Sequence, residues 1–470
     1  MKNKLLDTIK DAIVSSGLKD GDIISFHHQL RDGDYVLMNV VEEIAKLGIK
    51  DITIAATSLG SAHDGLINYI QGGVITGLQT SGIRGKLGAA VSHGILDKEV
   101  ILRSHGGRVR AIENGELKID VAFLAASSSD EYGNASGKNG IHNCGVLSYG
   151  MVDAKYAKKV VIITDTLVDF PNYPASIKST DVDYVVKIDA IGDPDKIASS
   201  VMQITQNPKE LMIAEKTVEV MQATPYFKDE FSYQTGAGKS SLAVNRFLEE
   251  AVNKYNYKIG WAIGGITAPM VDLLNKGLIK VLVDAQDFDT KAVESVNMNK
   301  NHYEISTSEY ASPNNKGAFV DRLDFTILSA LEIDLDFNVN VVLGSDGILR
   351  GAPGGHPDSA QGAKCTIIVA PLIRGRLATV TDKVLSITTP GKFVDVFVCE
   401  YGIAVNPDRK DIITALEKNN VATVSINKLR DKALSIVGKP DPISFLDKTV
   451  AIMEDRQGGI LDVIKMIKTT

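Results

Sequence analysis

The sequence predicts an α/β protein whose sheets are mainly parallel. Short runs of apolar, β-branched residues recur along its 470 residues, and each run is closed by Gly, Asp or Asn. Runs that are apolar throughout are typical of strands buried on both faces of a parallel sheet. Amphipathic helical patterns lie between them, and this alternation indicates α/β units with right-handed crossovers.

The predicted strands and helices form two series, which a polar stretch separates. In the first half the strand-like runs are DIISF, ITIAA, VAFLAAS, VVIITD and YVVKIDAI. Helices are predicted over Tyr35–Lys46 and Lys196–Thr205. A polar, turn-rich stretch covers about residues 205–245. Strand-like runs then return at Lys258–Gly265, Lys280–Asp284, Val339–Gly344, Thr366–Ala370 and Val394–Cys399.

This order predicts two open α/β domains, residues 1–225 and residues 226–470. The C-terminal segment Lys448–Thr470 is expected to contain a strand (TVAIM), a turn (DRQGG) and then an amphipathic helix.

The composition is that of an ordinary globular protein with a small excess of acidic residues. The formal net charge is −7, and no basic tract indicates a nucleic-acid partner. Three Cys form no CxxC pair, which fits a reducing compartment. The N-terminal segment lacks the apolar core of a signal peptide, and no apolar run is long enough to span a membrane. We therefore expect a soluble, cytoplasmic protein without a membrane partner.

The common nucleotide and metal motifs are missing from the sequence. The GKS within Gly236–Ser241 would need a Gly where Tyr233 stands to form a P-loop. No GxGxxG follows a predicted strand, and eight scattered His form no metal-ligand spacing. The sequence therefore predicts no metal site and no cofactor held by this chain.

Glycine-rich polar loops of the first half follow predicted strands, where open α/β sheets bind ligands. These loops carry His and Arg, and Arg suits bidentate contacts with carboxylates. In an acidic protein this concentration predicts an anion site, although a solvated loop or a surface ion-pair network would give the same pattern. The residues expected to bind the substrate are His27, His28, Arg31, Ser81, Arg84, His105, Arg108, Arg110 and Asn134.

The densest glycine loop of the second half, Gly344–Lys364, holds six Gly together with His356 and Asp358. Glycine lets backbone N–H groups approach a ligand closely, so such a loop can cradle an oxyanion. Glu400 ends a later predicted strand. A carboxylate there is either a nucleophile or base, or an acid that caps or pairs locally.

Several longer strings resemble one protein family. DVAFLAASSSDEYGNAS, LDFTILSALEID, GAPGGHPD, ITTPG and VCEYGIA follow the order of motifs in the CoA-transferase superfamily. Within it the chain is most similar to citrate lyase alpha subunits, through strings such as ISFHHQLRDGD, TSGIRGKLG, RSHGGRVRAIE, FSYQTGAG and APLIRGR. The resemblance covers nearly the whole chain.

The resemblance implies two CoA-transferase-like domains packed around a shared active-site cleft. It also implies a transferase reaction in which citrate displaces acetate from an acetyl-thioester. The carrier would be CoA or the phosphopantetheine-type arm of an acyl carrier protein (gamma) subunit, and a citryl lyase (beta) subunit would cleave the citryl product within a hetero-oligomer. The glycines expected to hold the thioester arm are Gly236, Gly238, Gly264, Gly265, Gly351, Gly354 and Gly355.

One difference from other CoA-transferases concerns the nucleophile. Those enzymes form a glutamyl-thioester early in the second half, whereas the matching stretch Val281–Asp289 contains no Glu. The resemblance therefore implies that citrate attacks the thioester itself, with Gln286, Asp287 and Asp289 at the vestigial position. The residues expected to be catalytic are His356, Asp358, Gln286 and Glu400.

Three alternatives remain open at this point. Citramalate could replace citrate as the substrate. The chain could be a general acetate or succinate CoA-transferase that uses Glu400 as its nucleophile. Finally, it could be a non-catalytic scaffold, although the His and Arg of the loops would then have no reason to stand together.

Overall fold

Two large, mainly parallel sheets form the framework of the structure, a computed structural model that describes residues 3–197, 202–236 and 238–468. Each sheet contributes its strands to a separate apolar core. The predicted α/β class is therefore confirmed.

The first sheet consists of ten strands among the described residues, and its neighbouring strands are parallel except for the last pair. Val121–Ala126 near its centre is buried at every residue, because helices and loops cover both faces. In spatial order the strands are Leu5–Leu6, Tyr184–Lys187, Lys159–Thr164, Val121–Ala126, Ile23–Phe26, Ile52–Ala56, Ile75–Thr80, Val100–Arg103, Phe445–Glu454 and Ile460–Ile467.

The second sheet has eight strands within the same described ranges, again parallel except for its last pair. In spatial order they are His302–Glu304, Ile279–Asp287, Ile259–Ile266, Ser232–Thr235, Phe325–Ser329, Cys365–Val369, Val396–Cys399 and Gly402–Val405. Smaller sheets are formed by Ser128–Ser129 with Ala135–Ser136, by Val339–Asn340, Glu332–Asp334 and Val380–Thr381, and by Ile373–Arg374 with Leu377–Ala378.

Helices connect the strands of both sheets. The α-helices are Ile9–Ser16, Val36–Lys46, Leu66–Gln71, Gly85–Ser92, His105–Glu113, Ser148–Tyr156, Pro194–Ile197, Pro208–Ala223, Lys239–Tyr255, Ala268–Asn275, Thr290–Met298, Thr307–Ala311, His356–Gly362, Lys410–Lys418 and Ile426–Val437. Short 3₁₀ helices span Arg31–Gly33, Ser61–His63, Ser179–Asp181, Phe319–Arg322 and Gly391–Phe393. Among the helices of the described residues, none has the length and apolar character that crossing a membrane requires.

Two helix predictions have different outcomes. The helix expected over Tyr35–Lys46 is confirmed as Val36–Lys46. The helix expected over Lys196–Thr205 falls partly on residues 198–201, which lie outside the described residues. The helix described next to them, Pro194–Ile197, is a single turn, and the described residues from Met202 to Thr205 are not helical.

The helix predicted at the C-terminus is wrong. Ile460–Ile467 forms a strand that pairs antiparallel with Phe445–Glu454, and the turn between them includes Gly458 at φ +97°. The segment is rich in β-branched residues, which favour strands, and the neighbouring strand Val100–Arg103 offers an edge on which the hairpin pairs. The amphipathic pattern of the segment had indicated a helix, but pairing with the sheet through long-range backbone hydrogen bonds stabilises a strand instead.

The division of the chain between the sheets also differs from the boundary expected at residues 225 and 226. The C-terminal hairpin completes the first sheet, although it ends the second half of the sequence. The helix Pro208–Ala223 packs its apolar face into the second core instead of the first. The chain therefore leaves the first sheet before residue 208 and returns to it near residue 445.

The carboxyl ends of strands from both sheets open into one cavity. His28 follows the strand Ile23–Phe26, and Ser81 follows Ile75–Thr80. From the second sheet, Gln234 and Ser329 lie at the ends of their own strands. Carboxyl ends are where open α/β sheets bind ligands, so the fold places a candidate site between the two sheets.

Candidate active site

The cavity between the sheets has a volume of about 520 Å³, which is within the range of small-molecule sites. Loops from both sheets form its walls. Many of the residues that the sequence singled out line it: His28, Arg31, Ser81, Arg84, His105, Gly236, Gly238, Gly264, Gly265, Gln286, Gly354, Gly355 and His356.

Two arginines supply positive charge to this cavity. The Arg31 guanidinium donates a hydrogen bond of 2.8 Å to the carbonyl oxygen of Asp287 and lies 4.5 Å from the centre of the Phe288 ring. Its Nε is enclosed and has no partner among the described residues. Burial lowers the pKa of Arg31 to about 10, so the group stays charged at neutral pH. Arg84 is exposed and lines the cavity, and its guanidinium forms no hydrogen bond or ion pair with a described residue. Both side chains therefore have donors to spare for an anionic ligand.

Three rings pack together beside these arginines. The His28 and His105 rings stack with their centroids 5.7 Å apart, and the Tyr149 ring lies 4.7 Å from His28 and 4.8 Å from His105. Burial lowers the pKa of His105 to about 3, helped by the charges of Arg108 and Arg84. Burial and the nearby cations also lower the pKa of His28 well below its usual value. Both imidazoles are therefore neutral hydrogen-bonding groups at physiological pH.

His356 lines the cavity but has no free nitrogen. Its Nε2 lies 3.0 Å from the carbonyl oxygen of Ser329, and its Nδ1 lies 2.7 Å from Thr389 Oγ1. A carbonyl oxygen only accepts, so Nε2 carries the proton and the Thr389 hydroxyl donates to Nδ1. Burial also lowers the pKa of His356 to about 4. This geometry gives His356 a structural role in place of the catalytic one expected.

Asp358, expected to be catalytic, supports the site from behind. It is fully buried, accepts a hydrogen bond of 2.6 Å from the Ser104 hydroxyl and accepts one of 2.8 Å from the Gly106 N–H. Ser104 is the N-cap of the helix His105–Glu113. Asp358 therefore fixes the start of that helix, and with it His105, but does not line the cavity.

Arg108 and Arg110 lie away from the cavity, in contrast to the sequence-based expectation. Arg108 forms a buried, bidentate ion pair with Asp153, at 2.7 and 2.8 Å. Arg110 pairs with Glu116 at 2.6 Å. From His105 onward the RSHGGRVR string is helical and not a loop, and successive residues of a helix point in different directions. Only His105, at its first position, faces the ligand space.

His27 and Asn134 are also placed elsewhere. His27 is buried, and its Nε2 lies 2.8 Å from the carbonyl oxygen of Ala125 in the neighbouring strand. Asn134 donates to Asp130 at 2.7 Å and holds the turn after Val121–Ala126. Both histidines follow the strand Ile23–Phe26, and of the two only His28 lines the cavity.

Glu400 lies outside the cavity lining as well. One carboxylate oxygen accepts a hydrogen bond of 2.8 Å from the Leu372 N–H, and the other lies 3.4 Å from Lys209 Nζ. These contacts tie Glu400 to the loop at Leu372 and to the helix Pro208–Ala223. They correspond to the local pairing role that the sequence left open, and they leave the carboxylate without a path to the ligand.

Of the three residues expected at the vestigial nucleophile position, Gln286, Asp287 and Asp289, only Gln286 lines the cavity. Asp287 turns away and accepts a hydrogen bond of 2.8 Å from the Val146 N–H. Asp289 caps two helices, accepting from the N–H groups of Ala292 and Ala268. Gln286 therefore places an amide, and not a carboxylate, at the cavity wall.

Several glycines line the cavity, among them Gly354 and Gly355. The N–H groups of Gly354 and Gly355 make no hydrogen bond with a described residue, and Gly354 has a φ of +53°. Successive N–H groups with one residue in the left-handed region form an anion-binding concavity. The Gly354 carbonyl accepts a 2.8 Å hydrogen bond from the His105 N–H, which fixes this concavity next to the ring cluster. Gly351 does not line the cavity, since it packs against the Val341 carbonyl, where a side chain would not fit.

A buried acidic cluster lies behind Gln286. The carboxyl groups of Asp284 and Asp287 lie within 4.8 Å of each other, and His302 Nε2 lies 2.9 Å from Asp284 Oδ2. Burial raises the pKa of Asp284 to about 7 and that of Asp287 well above its usual value. In the part of the chain that the structure describes, these three residues are the group whose spacing could hold a metal ion. However, His302 uses both nitrogens, because Nδ1 lies 2.9 Å from Ser295 Oγ.

Sequence reasoning missed several cavity residues. Gln234 and Ser329 end strands of the second sheet, and the rule about strand ends would have found both. Tyr149 and Tyr310 lie in helices, where no motif marks an aromatic residue as a ligand contact.

Comparisons with known proteins give the chain a family. The family model "Citrate lyase, alpha subunit (CitF)" matches residues 2–467. The citrate lyase alpha chain of Klebsiella pneumoniae is 50% identical over 100% of this chain and 92% of its own length. A crystal structure of the alpha subunit of citrate lyase from Streptococcus mutans, in complex with citrate, is 52% identical, with a TM-score of 0.98 over 100% of this chain and 92% of that chain.

A more distant structure shares only the fold. The malonate decarboxylase alpha subunit from Acinetobacter baumannii is 14% identical, with a TM-score of 0.68 over 94% of this chain and 85% of that chain. The identity to the citrate lyase alpha chain of Klebsiella pneumoniae, 50% over the whole chain, is far higher than this 14%. This chain therefore belongs to the citrate lyase alpha subunit family.

Proposed function

We propose that this chain is the transferase subunit of a citrate lyase, which exchanges the acetyl group of an acetyl-thioester for citrate and releases acetate. The observation that carries the proposal is the pair of arginines, Arg31 and Arg84, with unused donors in a cavity that also holds free glycine N–H groups. A tricarboxylate needs several cationic donors, and a thioester carbonyl needs an oxyanion cradle.

The proposed reaction requires no proton transfer from the protein. A citrate carboxylate oxygen attacks the acetyl carbonyl carbon, the C–S bond breaks, and the electron pair leaves with the thiolate. The thiolate then attacks the citryl carbonyl carbon of the mixed anhydride, and the C–O bond breaks to release acetate. A reaction without a general acid or base agrees with a His356 whose nitrogens are both occupied.

The chain's own groups have separable tasks in this scheme. Arg31 and Arg84 bind carboxylates, and the N–H groups of Gly354 and Gly355 stabilise the oxyanion that forms when the thioester is attacked. The neutral imidazoles of His28 and His105 donate or accept hydrogen bonds without adding charge. Gln286 stands where a covalent nucleophile would stand and supplies none, which supports direct attack by citrate.

The same proposal includes the identity of the thioester carrier and of the other subunits. The thioester is carried by CoA or by the phosphopantetheine-type arm of a gamma acyl carrier protein, and a beta subunit cleaves the citryl product. The free, buried cysteines support a cytoplasmic location.

The test is a product assay with purified chain, acetyl-CoA and citrate. The proposal predicts stoichiometric acetate and citryl-CoA, with little acetate when citrate is omitted. Parallel reactions with citramalate and succinate measure the preference for the tricarboxylate. Acetate release that does not depend on citrate, or that succinate supports as well as citrate, would contradict the proposal.

A further inference from the structure

Thr57 and His28 form a hydrogen-bond pair at the floor of the cavity. Thr57 follows the strand Ile52–Ala56 and is completely buried. Its Oγ1 accepts a hydrogen bond of 2.9 Å from the His28 backbone N–H and lies 2.5 Å from His28 Nδ1. One hydroxyl therefore contacts both the backbone and the ring of the same histidine.

The positions of the protons follow from the partners available. Thr57 Oγ1 already accepts the His28 N–H, and its own hydrogen has no other acceptor among the described residues than His28 Nδ1. With the proton on Nδ1, the buried hydroxyl would have nowhere to donate, which costs about 1–3 kcal/mol. Donation from Thr57 to Nδ1 leaves the ring proton on Nε2.

The remaining nitrogen faces the ligand. His28 Nε2 has no partner among the described residues and is not one of the enclosed unpartnered atoms. His28 lines the cavity, and the charges that help to lower its pKa include those of Arg31 and Arg84; Asp32, an acid on the same loop, also lines the cavity and accepts hydrogen bonds from Ser61. The stacked His105 adds no negative charge. This setting keeps the ring neutral and its Nε2–H directed at an anionic or carbonyl oxygen.

We propose that Thr57 is a positioning residue that fixes His28 as an Nε2–H donor to a substrate oxygen. The inference rests on the proposed function for the identity of that substrate, a polycarboxylate or its thioester. It assigns His28 to hydrogen-bond donation and excludes it as the base, because the nitrogen that faces the cavity carries the proton. His105 has no such partner, since its Nδ1 is enclosed and unpaired.

The direct test is the ¹⁵N spectrum of histidine-labelled, full-length protein, with the His28 signals assigned by their loss in His28→Gln. We expect Nε2 in the protonated range and Nδ1 in the unprotonated range between pH 6 and 8. Thr57→Ser keeps the hydroxyl and retains this pattern, whereas Thr57→Val gives a mixture of tautomers. An Nδ1 proton in the native protein, or an unchanged pattern in Thr57→Val, would overturn the inference.

Citrate titrations separate positioning from a merely structural role. Gln places an amide N–H near the position of Nε2, so His28→Gln keeps a donor that does not depend on Thr57. We expect Thr57→Val to weaken citrate binding about tenfold in the native background and less than twofold in the His28→Gln background. Equal losses in both backgrounds would overturn the inference. If the native protein did not bind citrate, the proposed function would fail, whereas the spectrum would still decide the tautomer.

Discussion

The guanidinium of Arg31 donates a 2.8 Å hydrogen bond to the backbone carbonyl oxygen of Asp287, a residue 256 positions away in the chain. Arg31 follows a strand of the first sheet, and Asp287 ends a strand of the second. The contact joins the two walls of the cavity through a side chain that also faces the ligand space. The shape of the cavity therefore depends on the relative positions of the two halves of the molecule.

Arg84 provides the clearest test of the anion site. Because its guanidinium has no partner among the described residues, Arg84→Ala should leave the stability unchanged while removing a charge-assisted bond to the substrate worth about 1.5–3 kcal/mol. We expect the KM for citrate to rise about 10- to 100-fold. The control is Arg350→Ala, which removes an exposed arginine whose ion pair within the described part of the chain is with Asp346. Equal kinetics of the two variants would contradict the assignment.

Glu400 distinguishes direct attack by citrate from a glutamyl-thioester route. Its carboxylate caps the Leu372 N–H outside the cavity, so Glu400→Gln should change the turnover less than about twofold and reduce stability by about 1 kcal/mol. The measurement is the steady-state rate beside a urea denaturation curve. Loss of turnover, or a hydroxylamine-trapped adduct on Glu400, would restore the covalent alternative.

Arg108 is expected to matter for folding and not for binding. Arg108→Ala leaves Asp153 buried without a partner, which should cost about 3–5 kcal/mol in the free energy of unfolding. The exposed pair of Lys158 and Asp120 is the control, and Lys158→Ala should cost less than about 1 kcal/mol. If Arg108→Ala is stable but no longer binds citrate, Arg108 contacts the substrate after all, as the sequence predicted.

The Asp284–Asp287 pair predicts a pH dependence of stability. Burial raises both pKa values, that of Asp284 to about 7, so the folded state binds protons more tightly than the unfolded chain. The contribution of the pair to stability is therefore present below the unfolded pKa, near 4, and is lost as the pH rises toward 7.

Asp287→Asn mimics the protonated acid and should flatten this dependence. We expect the melting temperature of the native protein to fall more steeply between pH 5 and pH 8 than that of the variant. His302 contributes in the opposite direction, because burial lowers its pKa to about 4, but it is present in both proteins. Parallel changes of melting temperature with pH in the two proteins would show that the raised pKa values of the pair do not contribute to stability.

The sequence pattern alone predicts the buried strands and the points where they end. Val121–Ala126 is buried at every residue, and a run without polar residues indicates that directly. His28, Ser81 and Gly265 reach the cavity because strand ends of a parallel sheet converge, and the sequence shows where strands end.

Other features depend on contacts that no local pattern contains. Arg108 faces Asp153 because the RSHGGRVR string is helical, and its resemblance to a loop came from two glycines. The C-terminal strand forms because Val100–Arg103 leaves an open edge, which is a property of the sheet and not of the segment. Tyr149 enters the site through packing against two histidine rings that lie far from it in sequence.

The central claim is that a citrate oxygen itself attacks the acetyl-thioester. Single-turnover reactions of the purified chain with acetyl-CoA and citrate labelled with ¹⁸O in its carboxylates test it directly, with mass spectrometry of the acetate released. Direct attack predicts acetate that carries one ¹⁸O atom, because the bridging oxygen of the anhydride leaves with the acetyl group. Unlabelled acetate in the first turnover would contradict the account, since its oxygen would then come from a protein carboxylate or from water.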